Sequence, residues 1–305
     1  MPEGNEIHRW AERHATAFAG KPVRIDGPQG RFTDSDMLDR RKLLRVMAVG
    51  KHLGYDFGRD RILHVHLGLQ GDFKEGSGPL PAVRGALRLR MWNATKVKLP
   101  AVPGVSPRHR WYSEDDGKAT LAPDKVAWME LRGPMDCSVY TNAQWQKLLE
   151  RLGPDPLGDD PKGHDAPERA FAKIAKSKKP IAALLMEQDV FAGVGNIYRA
   201  ELLFRARQNP FTPGREVAPA VLRQMWKEMR PLMQAGMLDR RIVTTLAKDR
   251  PHPRGPVLSE ETHYVYRRHG KPCWICGTTI KKMENFAGRN LYWCPLCQSG
   301  TTESV

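Results

Sequence analysis

Along the chain the spacing of apolar residues changes twice. Ile7, Trp10, Ala11, His14 and Phe18 recur at helical intervals, which predicts a helix from just behind the N-terminus to about Gly20. From about Lys21 to Thr141 the period shortens to two. KLLRVMAVGKHLGYDF, RILHVHLGLQGDF, ALRLRMW, KVAWMEL and CSVYT are separated by Gly, Pro and Asp, as in an antiparallel β-sandwich or barrel. A short helix over NAQWQKLLERL then runs into GPDPLGDDPKGHD, whose composition places a domain boundary near residue 153. Beyond it helical spacing returns. PIAALLMEQDVFAGVGNIYRAELLFRAR reads as two helices joined around Gly193 and Gly195, and VLRQMWKEMRPLMQAGML has an apolar face. LAKDRPHPRGPVLSEE, rich in proline and charge, is predicted to be a loop leading to a small terminal module from THYVYRRHGKPCWICG. The reading is a multidomain α+β protein with domains at 1–152, 153–262 and 263–305.

A chain of 305 residues exceeds what one core usually serves. Its 49 lysines and arginines against 34 acids give a net charge of +15 and a pI near 9.8, which favours an anionic partner, nucleic acid first. A basic but otherwise ordinary soluble enzyme is the alternative. No apolar stretch reaches the length of a membrane span, and Glu3, Glu6, Arg9 and Glu12 interrupt the N-terminal segment where a signal peptide needs an apolar core. The expected setting is therefore cytoplasmic, without a membrane partner.

Four of the five cysteines pair as Cys273-x2-Cys276 and Cys294-x2-Cys297, with residues 277–293 between them. Two such pairs turn four thiolates towards one tetrahedral ion, and the intervening stretch is long enough for a β-hairpin. The expectation is a single structural zinc ion with no open coordination position. Two redox motifs are the alternative, but no thioredoxin-like βαβ pattern surrounds them. Cys137, in a predicted strand, reads as a buried apolar filler.

Other residues carry chemistry less specifically. Arg289, near the predicted hairpin tip with Lys281, Lys282 and Asn285, suits phosphate binding, although an arginine there is often a solvated charge. In FAGVGNIYRAELL the glycines allow close backbone approach, the helix start offers N–H groups to an anion, and Asn196 adds a side-chain donor. Lys51 falls in a strand or hairpin, as a phosphate contact or as an edge charge that discourages aggregation. Leu69 and Gln70 form a glycine-flanked tip able to wedge into a base stack. His64 and His66 read as sheet residues rather than metal ligands. At the start, MPEG places Glu3 behind a proline. Initiator methionine is usually trimmed before a small residue, which would make Pro2 a terminal secondary amine.

Together these stretches resemble the formamidopyrimidine-DNA glycosylase and endonuclease VIII family of bifunctional DNA repair enzymes. PEGNEIHR, GKHLGYDF, HLGLQG, LGPDPL, GVGNIYRAELLF and the terminal C-x2-C…GRNLYWC-x2-C occur in the family's order across nearly the whole chain. The resemblance implies an N-terminal β-sandwich with flanking helices, a helix-two-turn-helix domain and a C-terminal zinc-finger β-hairpin, gripping damaged duplex DNA as a monomer. It assigns Pro2 as nucleophile, Glu3 as acid, Lys51 as the phosphate-contacting lysine of the active site, and Glu6 to the lesion pocket. Asn196 and Arg289 match its DNA-binding residues, and Leu69 and Gln70 sit where side chains enter the duplex.

An α-amine titrates near about 7.7–8.0, so Pro2 would be partly neutral at working pH. Two departures bear on the substrate: Leu69 stands where the purine-repair branch carries methionine, and LRGPMDCSVY lacks that branch's arginine pair and phenylalanine. These favour excision of oxidised pyrimidines, followed by β- and δ-elimination. An abasic-site lyase with weak excision, an oxidised-purine glycosylase and a non-catalytic damaged-DNA-binding protein are the alternatives. Cytoplasmic enzyme of this kind would be nucleoid-associated while bound to DNA.

Overall fold

The computed structural model describes residues 2–93, 121–160 and 163–299. Met1, whose removal would expose the Pro2 amine, lies outside the described residues. Two units are distinguished: one holds Pro2 and Ile7–Leu149, the other Glu3–Glu6 and the chain from Glu150 onward.

The helical spacing at the start of the chain becomes α1 (Gly4–Phe18), which belongs to the first unit from Ile7 onward, with Glu6 in the first turn, where the helix dipole favours an acid. The alternating segments become β1 (Arg24–Asp26), β2 (Arg45–Val49), β3 (His52–Asp56), β4 (Ile62–His66), β5 (Asp72–Gly76), β6 (Leu87–Trp92), β7 (Trp128–Arg132) and β8 (Asp136–Tyr140). They pair antiparallel in two sheets, ordered β1-β6-β7-β5 and β2-β3-β4-β8. Leu53, Tyr55, Leu63 and Val65 from one sheet share a core with Phe73, Leu89, Met91 and Leu131 from the other, which makes the architecture a sandwich. Ile7, Trp10 and Phe18 of α1 complete that core.

Several polar groups under α1 pair with one another. His14 Nδ1 lies 2.7 Å from the Tyr55 hydroxyl, and Arg13 holds Glu75 at 2.6 Å. Burial pulls the His14 pKa below its ordinary value despite the opposing Glu75 carboxylate. Cys137 is buried in β8, and burial pushes its thiol up to about 12, consistent with an inert filler. α2 (Asn142–Arg151) follows and buries Trp145.

The second unit contains α3 (Glu168–Ile174), α4 (Ile181–Leu184), α5 (Asn196–Arg205) and α6 (Pro219–Leu238). The first of the two helices expected around Gly193 and Gly195 is only the single turn α4. Beyond it, the Gln188 side-chain amide donates to the carbonyls of Met186 and Val194 and accepts the Gly193 N–H, satisfying backbone groups of the non-helical stretch before α5. α6 starts with Pro219, where the missing N–H is not needed, and buries Leu222, Met225, Met229 and Met233 along one face.

β9 (Lys281–Phe286) and β10 (Arg289–Trp293) form the expected hairpin. Tyr264, Val265 and Ile280 make a small core with the cysteines against Ala200 and Phe204 of α5. The fully buried Glu201 fastens this module to α5. It accepts N–H groups from Tyr264, Val265 and Tyr266 at 2.7, 2.9 and 2.8 Å, together with the Thr244 hydroxyl at 2.5 Å.

Candidate functional site

The N-terminus of α5 is already held by an anion of the chain itself. Glu3 is buried and accepts N–H groups from Gly195 at 3.0 Å, Ile197 at 2.7 Å and Tyr198 at 3.4 Å. This corrects the expectation that the helix start offers those groups to an external phosphate. The helix start instead fixes the carboxylate next to Pro2 in sequence. A Cβ on Gly195 would lie 2.5 Å from Glu3 Cδ, so the close approach requires glycine there. Glu6, half-buried one turn on, donates its backbone N–H to the Glu3 carbonyl at 3.0 Å.

Asn196 is buried rather than displayed. Its Nδ2 donates to the Asn290 carbonyl at 3.0 Å, joining α5 to β10, where Arg289 is half-buried beside the turn. Arg289 donates from Nη1 to the Gly288 carbonyl at 2.7 Å. Between them lies a residue that the motif reading did not single out. Arg199 is fully buried and donates to the Asn196 side-chain oxygen and to the Asn290 carbonyl at 3.2 Å. The signal was a lone arginine in the apolar run NIYRAELLF, three residues after Asn196 and so on the same helical face.

The four cysteines converge as expected, with all four sulfurs within 4.8 Å of one another. Cys273 and Cys297 Sγ are 3.9 Å apart, Cys276 and Cys294 3.4 Å. Tetrahedral zinc–thiolate bonds of ~2.3 Å put sulfurs about 3.8 Å apart, so the residues fit the ion. The backbone N–H groups of Ile275 and Cys297 point at Cys273 and Cys294 Sγ, both at 3.4 Å, where they offset thiolate charge. A four-thiolate site supplies folding energy rather than chemistry.

In the first unit, Gly50 and Lys51 form the two-residue turn between β2 and β3. Gly50 takes φ +58, the positive angle required at the first position of such a turn, and this places the half-buried Lys51 at the hairpin end. Leu69 is 53% exposed and Gln70 is exposed on the turn between β4 and β5.

His64 and His66 are strand residues, as expected, but they join His52 in a stacked array. The His52 ring lies 5.2 Å from His64 and 4.7 Å from His66. His52 Nδ1 is 2.9 Å from His64 Nε2, and His64 Nδ1 is 2.8 Å from Asp136 Oδ2. Burial first, then the neighbouring His66, His64 and Lys51 charges, lowers the His52 pKa to about 3. Burial likewise lowers His64 and His66. His52 was missed because its strand partners become visible only once β3 and β4 are in register.

Fold and cysteine centre define a zinc-finger glycosylase architecture, and the comparisons with known proteins agree. The formamidopyrimidine-DNA glycosylase H2TH domain model matches residues 152–247, and the zinc finger found in FPG and IleRS matches residues 270–300. Endonuclease 8 1 of Mycobacterium tuberculosis is 38% identical over 305 residues, covering 98% of this chain and 100% of that protein. The formamidopyrimidine-DNA glycosylase of Thermus thermophilus is 28% identical over 303 residues, covering 98% of each. Among solved structures, the MutM (Fpg) protein from Thermus thermophilus superposes with a TM-score of 0.69 at 24% identity, covering 98% of this chain and 100% of that one. The Lactococcus lactis Fpg complex with abasic-site DNA gives 0.68 at 20%, covering 97% and 99%. The chain belongs to the formamidopyrimidine-DNA glycosylase and endonuclease VIII family, the DNA repair glycosylases whose motifs it carries.

Proposed function

We propose that the protein is a bifunctional DNA glycosylase and abasic-site lyase of base-excision repair, with Pro2 as nucleophile and oxidised pyrimidines as preferred lesions. The observation that carries this reading is the fixed carboxylate of Glu3, next to Pro2 in sequence and held by the amide of Gly195 and two amides of α5. After Met1 is removed, the Pro2 nitrogen attacks the deoxyribose C1′, and the C1′–N bond to the damaged base breaks with its electron pair leaving on the base. The proton lost from the Pro2 N–H passes to the departing base, Glu3 in its acid form delivers a proton to the ring oxygen as the sugar opens, and the Pro2 nitrogen retains C1′ as an iminium ion. That cation acidifies the C2′ proton. Its loss expels the 3′ phosphate by β-elimination, and a second elimination releases the 5′ phosphate.

Lys51 is assigned to the phosphate beside the lesion, Asn196 and Arg289 to the DNA backbone, Glu6 to the lesion pocket, and Leu69 with Gln70 to the gap left by the extruded base. The cysteines would hold one zinc ion that orders the hairpin carrying Arg289. Leu69, where the purine-repair branch has methionine, and the segment around Met135 support the pyrimidine preference. The net charge of +15 suits a monomer acting on duplex DNA in the cytoplasm, at the nucleoid.

Borohydride trapping on abasic-site DNA tests the chemistry. Trimmed protein should form a covalent complex that Pro2→Gly and a retained Met1 both abolish. Undiminished trapping by either would sink the assignment. Single-turnover excision of thymine glycol, 5-hydroxycytosine, uracil and 8-oxoguanine then tests the lesion preference, with the oxidised pyrimidines expected to be fastest.

A further inference from the structure

A guanidinium carries five donors and no acceptor, whereas a side-chain amide presents either an acceptor or a donor depending on which way it is turned. Arg199, together with the acceptor-only Asn290 carbonyl, resolves that choice for Asn196. Its Nη2 lies against the Asn196 oxygen, and a donor-only neighbour tolerates only that end of the amide. The other end is then the N–H end. One of its hydrogens is used by the Asn290 carbonyl at 3.0 Å, and the second is the one a phosphate would take.

Arg199 also grips the hairpin. Nη2 donates to the Asn290 carbonyl at 3.2 Å, and Nη1 lies 3.4 Å from the Phe286 carbonyl, so both strands are touched, Asn290 being the neighbour of Arg289. Burial, partly opposed by the Glu3 carboxylate and reinforced by Arg289, lowers the Arg199 pKa to about 10, and the group stays charged at neutral pH.

We propose that Arg199 is a positioning residue for DNA phosphate capture: it turns the Asn196 amide so that N–H faces the phosphate, and it couples that amide to the strand bearing Arg289. The inference rests on the assignment of Asn196 and Arg289 to the DNA backbone.

The test measures binding of the zinc-loaded full chain to duplex DNA containing a tetrahydrofuran abasic analogue. Asn196→Ala should weaken binding about tenfold to a hundredfold, the range for a lost hydrogen bond to a charged group. Arg199→Met should do the same, and Arg199→Lys, which remains donor-only, should stay within about threefold of wild type. In the Asn196→Ala background, Arg199→Met should add less than about twofold. Trapping at saturating DNA should stay near wild type for Arg199→Met, because the loss lies in binding.

Equal losses from Arg199→Met in both backgrounds, or none in either, overturn the proposal. If Asn196→Ala binds normally, the phosphate role of Asn196 fails and the proposal with it; if Asn196→Ala is weak and Arg199→Met is not, the proposal alone fails. Should Arg199→Met lose zinc or melt early, Arg199→Gln replaces it. Glutamine has too few donors to serve the Asn196 oxygen and both hairpin strands at once, so wild-type affinity in that variant overturns the proposal.

Discussion

Gly195 gives its N–H to the carboxylate of Glu3 at 3.0 Å, and a methyl group at that glycine would stand 2.5 Å from the carboxyl carbon. Gly195→Ala therefore displaces Glu3 or the start of α5. We expect a stability loss of about 1–3 kcal/mol, typical of overpacking, together with slower trapping on abasic DNA. Urea unfolding and borohydride trapping measure the two effects. A variant that traps at the wild-type rate would show that the position of Glu3 does not matter to the chemistry.

Metal removal should act locally. The module around Cys273, Cys276, Cys294 and Cys297 buries few apolar side chains of its own, among them Ile280 and Leu291. Chelation, or Cys294→Ser, is expected to abolish amide protection over residues 263–299 and to weaken DNA binding, while the β-sandwich keeps its protection. Hydrogen exchange with metal analysis checks this, with about one zinc per chain expected in the native protein. Full protection after complete metal loss would contradict a structural ion.

Glu201→Gln replaces an oxygen that accepts two donors with an NH2 group that accepts none. Whichever way the amide turns, two donors lose their acceptor. A destabilisation of about 2–4 kcal/mol is expected, with faster exchange at Tyr264 or at Val265 and Tyr266, according to which oxygen the NH2 replaces. Wild-type protection at those amides would mean that the segment is held by other contacts.

Acid should destabilise the first unit through its buried histidines. His14, His52 and His64 all have folded pKa values below the unfolded value of 6.5. The unfolded chain therefore binds protons first, and the stability these groups contribute is complete above about 6.5 and lost as pH falls towards the folded values, about 3 for His52. Each contributes up to about 1.4 kcal/mol per pH unit within that window. Urea midpoints between about pH 7 and pH 5 should fall in the wild type and less steeply in His52→Gln. Parallel pH profiles for the two proteins would remove His52 from this account.

The sandwich strands were legible because alternation survives wherever one face of a strand is buried: every expected run from KLLRVMAVGKHLGYDF to CSVYT contains a strand. The cysteine centre was legible because metal-ligand spacing is local. Less visible were features made by residues far apart in sequence. The amides of α5 meet Glu3 across more than 190 positions, so the helix start looked open to an outside anion. Arg199 read as part of a helix face until β10 supplied its carbonyl. The stretch between α4 and α5 is non-helical, and its backbone groups are met in part by the Gln188 side chain, a contact that apolar spacing does not show.

The ten residues of α5 bear on heredity. Their first turn fixes Glu3, Asn196 and Arg199 reach the hairpin, and Glu201 anchors the segment that enters the cysteine module. One inserted or deleted codon between Asn196 and Glu201 would rotate these attachments by about 100° relative to each other. A mutational scan should therefore find this short interval nearly closed to length change, while the loop at residues 250–258 accepts insertions. The gene would be able to vary the outer surface of this protein far more freely than the short helix that joins its acid to its metal.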